Sequence, residues 1–333
     1  MEISNFIIIT GHRKSGTSVF QRLFDSHPGI FLYPVDISIL YAYFPFFSKE
    51  LKDNEDSLRD RLELVICRSL QLCEKELAKN AIDINSFAKK VSTQLSHDDL
   101  LKKNKVIKTM AQTWVEMFYK SNENRPFIFK ETSQVIHFNA FKSELPGFKM
   151  VNLIRDPRDN YAALKSGVKN YYSKMDENEM ETLASLINRG RMDLKAAFIN
   201  ESLYPDNFRA LKFEELASNT EEEMQKIANF IEIRYDPILS KPTLFNQKYS
   251  GNSHDGLKFK GLERTNVSKW KERISDFEAK VIEFWLGDVM KTWGYQLEFA
   301  PDSAQIAFSE FYEWYNTRYF YRDSFSNYPS PFL

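Results

Sequence analysis

A short apolar run near the start of the chain leads directly into a loop with two spaced glycines. Residues 6–9 read Phe-Ile-Ile-Ile, a composition typical of a fully buried strand. The next residues have the spacing Gly11-x-x-x-x-Gly16, and an amphipathic helix is predicted from about Val19. Glycines in such a loop let backbone N–H groups turn inward onto an anion, and the start of the following helix adds partial positive charge. The segment therefore predicts a strand, a phosphate-binding loop and a helix.

The position of the lysine separates this loop from that of a nucleoside triphosphatase. In the Walker pattern a lysine follows the second glycine to reach the β- and γ-phosphates, and a Ser or Thr then holds magnesium. Here Thr17 and Ser18 follow Gly16, and the lysine, Lys14, precedes it. A cation on that side of the loop suits a 5′-phosphosulfate better than a magnesium-bound triphosphate.

A second predicted strand ends on an arginine. Residues 149–154 form a β-type run that closes on Arg155-Asp-Pro-Arg-Asp159, and a helix is predicted from Tyr161. Ligands of open α/β sheets bind at the carboxyl ends of strands, where an arginine offers a rigid fork for a phosphate. The structural alternative is an ordinary salt bridge between Arg155 and Asp156.

Both motifs resemble the signatures of the sulfotransferase family, of bacterial and glycan type. Lys14-Ser-Gly-Thr-Ser18 is similar to that family's 5′-phosphosulfate loop, and residues 153–162 are similar to its second signature. The resemblance implies 3′-phosphoadenosine 5′-phosphosulfate (PAPS) as the donor, adenosine 3′,5′-bisphosphate (PAP) as the product, and no metal. It assigns Arg155 to the 3′-phosphate. The family has a serine eight positions later, where this chain has Ala163, and Ser166 one helical turn further on is the alternative.

The resemblance extends along the chain and implies further donor contacts. Residues 24–31 are similar to the family's turn after the first helix, and residues 129–133 to its next strand end, with Lys130 and Glu131 in inverted order. Ser268-Lys-Trp-Lys271 is similar to the family's donor-closing loop. The donor-binding residues implied in this way are Arg13, Lys14, Ser15, Gly16, Thr17, Ser18, Arg155, Ser166, Lys269 and Trp270.

Sulfuryl transfer requires a cation at the leaving phosphate and a base at the acceptor hydroxyl. Lys14 suits the first task. Three residues are candidates for the base: Glu131 after a strand, Asp36, and His137 on the next predicted helix. Each has a structural alternative, as a lysine partner, a helix cap and a packed helix residue respectively. Glu131 and Asp36 rank level, ahead of His137.

The alternation of strand and helix patterns predicts an α/β fold. The fold expected is a P-loop NTPase-like central parallel sheet flanked by helices, in one sulfotransferase domain over residues 1–300. The apolar run 30–47 is interrupted by prolines and an aspartate, so we expect a loop and a short helix there. Leucines at helical spacing predict an all-helical insertion over about residues 48–120, after the first strand unit.

The end of the chain, residues 301–333, forms an aromatic-rich extension. We expect these rings to pack on the domain, with a homodimer contact or a platform for the acceptor as alternatives. The rings are Phe308, Phe311, Tyr312, Trp314, Tyr315, Tyr319, Phe320, Tyr321, Phe325 and Tyr328.

Composition excludes several functional classes. The 45 basic and 46 acidic residues leave a formal net charge of −1, so no global field recruits nucleic acid or acidic membranes. The two cysteines, Cys67 and Cys73, lie in one predicted helix, and no signal segment or transmembrane segment is evident. We therefore expect a cytoplasmic enzyme.

Two other classes share the loop. A small-molecule kinase would require Lys-Ser/Thr after Gly16 and a strand-end aspartate for magnesium, and only Asp156 offers one. A non-catalytic nucleotide-binding protein is the second alternative, and Ala163 is the feature that favours it. The acceptor stays open among carbohydrate, lipid, peptide tyrosine and small-molecule hydroxyls.

Overall fold

A parallel sheet forms the centre of the protein. The computed structural model describes residues 3–44, 57–79, 82–170, 179–249 and 267–319. The strands in these ranges are β1 (Phe6–Gly11), β2 (Phe31–Asp36), β3 (Phe127–Lys130), β4 (Lys149–Ile154) and β5 (Phe208–Lys212), with β6 (Thr243–Leu244) and β7 (Gln247–Lys248) in a separate antiparallel hairpin. The sheet has the order β2-β3-β1-β4-β5, and its pairings are all parallel. This confirms the predicted α/β fold class.

Helices cover both faces of the sheet. They are α1 (Thr17–Arg22), α2 (Leu40–Tyr43), α3 (Leu58–Gln71), α4 (Glu74–Lys79), α5 (Ile84–Thr93), α6 (His97–Leu100), α7 (Lys103–Trp114), α8 (Phe138–Glu144), α9 (Pro157–Asn170), α10 (Glu179–Leu203), α11 (Phe213–Ser218), α12 (Thr220–Phe230), α13 (Trp270–Arg273), α14 (Asp276–Thr292) and α15 (Pro301–Tyr319). Alternate β1 residues face different helices, because successive side chains of a strand point to opposite faces. Ile7 and Ile9 pack in the cluster of α1 and α12, whereas Phe6 and Ile8 belong to the cluster of α10 and α14. Among the described helices, none is both long enough and apolar enough to cross a membrane.

Strand β2 corrects the prediction of a loop and short helix over residues 30–47. Residues 31–36 form an edge strand, and only the four residues of α2 are helical in the described part of that run. Proline is tolerated at an edge because it removes only an outward-facing N–H. Leu32 sends its N–H outward to a side chain, and Pro34, two residues on, faces the same way. Residues 45–47 lie outside the described residues.

The predicted helical insertion is confirmed where the chain is described. Helices α3 to α7 all lie between β2 and β3, and residues 48–56 at its predicted start lie outside the described residues. Two of its side chains cover the outer edge of β2. Trp114 Nε1 donates to the Leu32 carbonyl at 3.0 Å, and the Tyr119 hydroxyl accepts from the Leu32 N–H at 2.8 Å. The insertion thus satisfies backbone groups that an edge strand would otherwise expose.

The aromatic extension packs on the domain in its described part. Phe308 of α15 is 6% exposed and stacks on Trp285 of α14, with ring centroids 5.3 Å apart. Phe311 is buried as well. The remaining predicted aromatics from Phe320 to Tyr328 lie outside the described residues.

The strand order places the glycine-spaced loop at a switch point of the sheet. The chain leaves β1 towards β3 and β2 on one side and later reaches β4 and β5 on the other. A crevice opens at the carboxyl ends of strands at such a point, and ligands of open α/β sheets bind there. The first predicted motif follows β1 and the second follows β4, its neighbour.

Candidate active site

The loop between β1 and α1 has the backbone of an anion cradle. Lys14 and Gly16 adopt the left-handed region, with φ of 64° and 98°, and the Ser15 N–H closes the turn on the His12 carbonyl at 3.1 Å. Gly16 is the N-cap of α1, and no side chain caps the first turn with a hydrogen bond. The Ser15 hydroxyl is buried and has no hydrogen-bond partner among the described residues. A left-handed turn that leads into a helix N-terminus, with an unpaired hydroxyl beside it, is typical of loops that bind phosphate or sulfate.

Phe213 explains why the second glycine is needed. A Cβ on Gly16 would lie 2.4 Å from the Phe213 ring, and one on Gly11 would lie 2.6 Å from the Leu153 carbonyl. No side chain fits either position, quite apart from the backbone angle of Gly16. Phe213, the first residue of α11, therefore limits how closely the loop backbone can pack and requires glycine at position 16. This residue is not identified by the sequence analysis.

Arg155 lies directly beside this loop, as the sequence predicted. Its Nη1 donates to the Lys14 carbonyl at 2.9 Å, and its guanidinium carbon lies 4.9 Å from the centre of the Phe213 ring. Burial lowers the pKa of Arg155, and the charges of Asp159 and Glu214 oppose that shift. Arginine stays protonated over any physiological pH, so the guanidinium is a fixed positive charge between the two motifs.

Asp159 links the second motif to the loop that carries Lys269 and Trp270. Its carboxylate accepts the Ser268 N–H at 2.8 Å and the Trp270 N–H at 2.9 Å. These bonds bring residues 268–270 to the start of α9, close in sequence to Arg155. The Trp270 ring itself is buried, with the Arg158 guanidinium 4.3 Å from its centre. No local pattern indicated the role of Asp159, because its partners lie more than a hundred residues away.

Arg158 is the centre of a buried ion-pair network behind the motif. Its guanidinium forms a fork with Asp156, at 2.6 and 3.0 Å, and reaches Glu283 of α14 at 2.6 Å. Glu283 in turn accepts the backbone N–H groups of Glu298 and Phe299. The network fixes the turn after β4 against α14.

We expect Arg158→Ala to lower the free energy of unfolding by about 3–5 kcal/mol, because it leaves two buried carboxylates without their cation. Arg191→Ala is the matched control, since Arg191 forms a similar fork with Asp288, at 2.7 Å, but both groups are solvent-exposed. The control substitution should lower the free energy of unfolding by no more than about 1 kcal/mol. Urea unfolding of both variants measures the difference, and equal losses would contradict the account of the network.

Two carboxylates lie together at the ends of β2 and β3. Asp36 and Lys130 are register partners, and Lys130 Nζ lies 2.5 Å from Asp36 Oδ2. Glu131 is buried and accepts the Ser38 N–H at 2.6 Å and the Thr132 N–H at 3.2 Å. Burial, and then the negative charge of Asp36, raise the pKa of Glu131 to about 8. The two candidate bases therefore share one site, and the charge of Asp36 helps to raise the proton affinity of Glu131.

Hydrogen bonds hold Glu131 against the strand that leads into the loop. The Glu131 N–H donates to the Ile9 carbonyl at 3.0 Å, and the Ser133 N–H donates to the Gly11 carbonyl at 2.9 Å. Arg189 of α10 bonds the Ser133 carbonyl and pairs with Asp193 at 3.2 Å. The carboxylates and the anion loop thus lie at the same end of the sheet. Arg189 is a further positioning residue, which the sequence analysis does not identify.

His137 and Ser166 are placed less centrally. His137 lies on the helical turn that follows Glu131 and is accessible to solvent. Partial desolvation of its ring, and then the charge of Arg189, lower its pKa. Ser166 lies on α9 one turn after Ala163, and both are partly exposed on the same helix face.

A small cleft adjoins Arg155 at the end of β4. Its lining includes His12, Asn152, Asn160 and Asp193 together with several leucines. The side-chain oxygens of Asn152 and Asn160 are buried and accept no hydrogen bond within the described ranges. Burial lowers the pKa of His12 to about 4, so its ring is neutral at pH 7 and adds no charge beneath the loop.

A parallel sheet with a glycine-spaced loop at its switch point and an arginine on the neighbouring strand is typical of α/β proteins that bind anionic ligands at the carboxyl ends of their strands. The model of the sulfotransferase family matches residues 6–237, well over half of the chain, and the protein belongs to that family of transferases. No curated protein matches the chain.

Two solved structures show the same fold. The sulfotransferase domain from the curacin biosynthetic pathway has 14% identity and a TM-score of 0.58, over 90% of this chain and 100% of that domain. The sulfotransferase domain of the olefin synthase of Synechococcus PCC 7002 has 16% identity and a TM-score of 0.55, over 90% and 98%. Identities this low support the fold and leave the acceptor open.

Proposed function

We propose that the protein transfers a sulfuryl group from PAPS to an acceptor hydroxyl by in-line displacement, without a metal ion. The observation that carries the proposal is the contact of Arg155 with the Lys14 carbonyl, because it joins the two anion-binding motifs in one site. Family membership supports the reaction class. We take residues 1–300 as one catalytic domain, with the insertion over about 48–120 on its acceptor side.

The residues present fit the proposed donor. The cradle at Gly16 admits no side chain, its turn leaves the Ser15 hydroxyl without a partner among the described residues, and Arg155 is a fixed cation beside it. Residues 13–18 would hold the 5′-phosphosulfate end, and Arg155, with Ser166 and Lys269, would hold the 3′-phosphate. Trp270, whose ring is buried, would support the donor indirectly, by holding the loop that Asp159 anchors in place. When bound, PAPS supplies an activated sulfuryl group and a phosphate leaving group.

Each residue of the site has a separate task in this proposal. Lys14 and the loop N–H groups stabilise negative charge on the departing phosphate oxygen. A carboxylate at the end of β2 or β3 removes the acceptor proton. Glu131 is favoured as the base because burial raises its pKa to about 8, whereas the Asp36 carboxylate is already held in an ion pair with Lys130. We therefore place Glu131 first, with Lys130 and Asp36 setting its electrostatic environment, and His137 as the reserve candidate.

Calorimetric titration tests the donor site directly. We expect PAP to bind in the presence of excess EDTA, and ATP with magnesium to bind far more weakly, because no lysine follows Gly16 to reach a γ-phosphate. Transfer of radiolabelled sulfate from PAPS should likewise survive EDTA. Loss of transfer in EDTA with recovery on adding magnesium would reject the proposal in favour of a kinase. PAP binding with no transfer to any hydroxyl in a broad acceptor panel would favour a non-catalytic nucleotide-binding protein.

Arg155→Ala should weaken PAP binding by about 1.5–3 kcal/mol, roughly 10- to 100-fold, since a charge-assisted contact to the 3′-phosphate is lost. Affinity for adenosine 5′-phosphate, which lacks that group, should hardly change. Arg155→Lys is the control that retains the positive charge without the guanidinium fork. Its affinity for PAP should lie between those of wild type and Arg155→Ala. Equal losses for both nucleotides would show instead that Arg155 serves the loop through the Lys14 carbonyl.

A further inference from the structure

Arg22, the last residue of α1, is a buried cation that forms no ion pair with the described residues. Its side chain is 8% exposed, and its guanidinium carbon lies 5.5 Å from the centre of the Tyr249 ring. Neither Nε nor Nη1 has a hydrogen-bond partner in the part of the chain that the structure describes. Within those ranges no carboxylate forms an ion pair with it, whereas Arg158 and Arg191 each hold one at 2.7 Å or less.

The charges nearest to Arg22 are engaged elsewhere. Asp25 accepts the Thr243 hydroxyl at 2.7 Å and the Asn246 N–H at 3.0 Å, and Asp36 binds Lys130. Cys73 and Tyr249 contribute no charge at neutral pH, because burial raises the pKa of both, that of Cys73 to about 12. Among the described residues the desolvated guanidinium is thus stabilised by the Tyr249 side chain and, more weakly, by the charges of Asp25 and Asp36. Burying a charge with so little compensation is costly.

The position of Arg22 separates it from the donor loop. Helix α1 is about 9 Å long, from the rise of 1.5 Å per residue, and the donor loop lies at its other end. Arg22 instead faces the β6–β7 hairpin through Tyr249 and interacts with Asp36 of the carboxylate pair. An arginine fork in a dry setting binds planar or tetrahedral oxyanions with two parallel hydrogen bonds.

We propose that Arg22, with Tyr249 beneath it, is a binding site for an oxyanion carried by the acceptor, either a carboxylate or a phosphate or sulfate ester. The assignment of that anion to the acceptor rests on the sulfotransferase function proposed above. The anion site itself does not, so the two can fail separately. The acceptor of this protein is then a negatively charged hydroxyl compound, with the reacting hydroxyl at Glu131 and Asp36 and the charged group at Arg22.

Thermal unfolding with inorganic sulfate as the probe tests the site. Wild type, Arg22→Met and Arg125→Met are titrated with sulfate at constant ionic strength, with and without saturating PAP to fill the donor loop. Arg125 is the matched control, because it also stacks on a ring, that of Phe31 at 5.3 Å, but has its carboxylate partner in Glu123. General salt exclusion raises the unfolding temperature of all three proteins alike, so only the saturable difference counts.

Wild type and Arg125→Met should show an additional, saturable rise of about 2–4 °C at ten times the sulfate dissociation constant, and Arg22→Met should show none. Without sulfate, Arg22→Met should unfold at the same temperature as wild type or higher, because an uncompensated buried charge is gone. Identical titrations of wild type and Arg22→Met, or a lower unfolding temperature of Arg22→Met in chloride alone, would overturn the anion site.

The assignment of the anion to the acceptor is tested by a separate measurement of acceptor preference. A panel of hydroxylated carboxylic acids is compared with the methyl ester of each acid, using radiolabelled PAPS. Wild type should prefer the acids by about tenfold or more in kcat/KM, and Arg22→Met should lose that preference. An equal preference in both proteins would place the anion site outside the acceptor cleft. Absence of transfer to every compound would count against the proposed function, while the sulfate titration decides the anion site independently.

Discussion

Replacing Lys14 by alanine is expected to lower kcat by about 100- to 1000-fold while weakening PAP binding by less than about tenfold. The side chain is needed most when charge develops on the leaving phosphate, so its loss falls on the transition state rather than on the bound product. The backbone contacts of the loop should survive, because the Lys14 carbonyl that receives Arg155 belongs to the main chain.

The comparison of kcat in single-turnover transfer with PAP affinity by calorimetry separates the two effects. Lys14→Arg retains a cation and should recover part of the rate, while its bulkier fork fits the loop less well. If Lys14→Ala lost binding and turnover in equal proportion, Lys14 would be an anchor for the nucleotide and the leaving-group role would pass to another donor.

Glu131→Gln is expected to reduce the rate by two to four orders of magnitude and to leave PAP binding unchanged. The pH profile gives a sharper readout. Since the pKa of Glu131 is about 8, the carboxyl is mostly protonated at pH 7 and becomes a base as the pH rises through 8. The wild-type rate should therefore climb with pH to a plateau above pH 8, and the Gln variant should lose this limb.

Asp36→Asn is the matched variant for the same experiment. Removing the negative charge beside Glu131, and freeing Lys130 from its partner, both lower the pKa of Glu131. The rising limb should move to lower pH, with the plateau rate retained within about tenfold. A loss of two orders of magnitude or more in Asp36→Asn, with Glu131→Gln active, would make Asp36 the base. If neither variant slows transfer, His137→Gln is the next variant to measure. In that case the rising limb of the wild-type pH profile should lie below the ordinary histidine pKa, because partial desolvation lowers the pKa of His137.

Local patterns were sufficient for the parts of the site that follow directly from a strand. The loop after β1 and the arginine after β4 were predicted because a buried apolar run, a turn and a helix start are all encoded within about fifteen residues. The parallel pairing of β1 and β4 then brings Lys14 and Arg155 together without further information. The sheet edge between β2 and β3 was less predictable, because Pro34 resembles an interruption until the strand is known to be at an edge.

The features that sequence reasoning missed depend on contacts between distant segments. Phe213 limits the height of the loop from almost two hundred residues away in the chain, and Asp159 holds a loop beyond residue 267. The raised pKa of Glu131 depends on burial and on the register of β2 against β3, neither of which follows from the order Lys130-Glu131. Spacing predicts which residues share an element, and packing decides what surrounds them.

The contacts of Trp114 and Tyr119 with Leu32 tie the helical insertion to the position of Asp36. Asp36 stands four residues after Leu32 on the same strand, so the helical insertion is fastened to the strand that presents this carboxylate. Among the described residues, hydrogen bonds from two side chains fasten this edge, and Tyr33 of the same strand packs against Phe87 and Trp114 of the insertion. An insertion of different sequence would therefore have to bring one donor and one acceptor to Leu32 and also fill the core around Tyr33 if Asp36 is to keep its position.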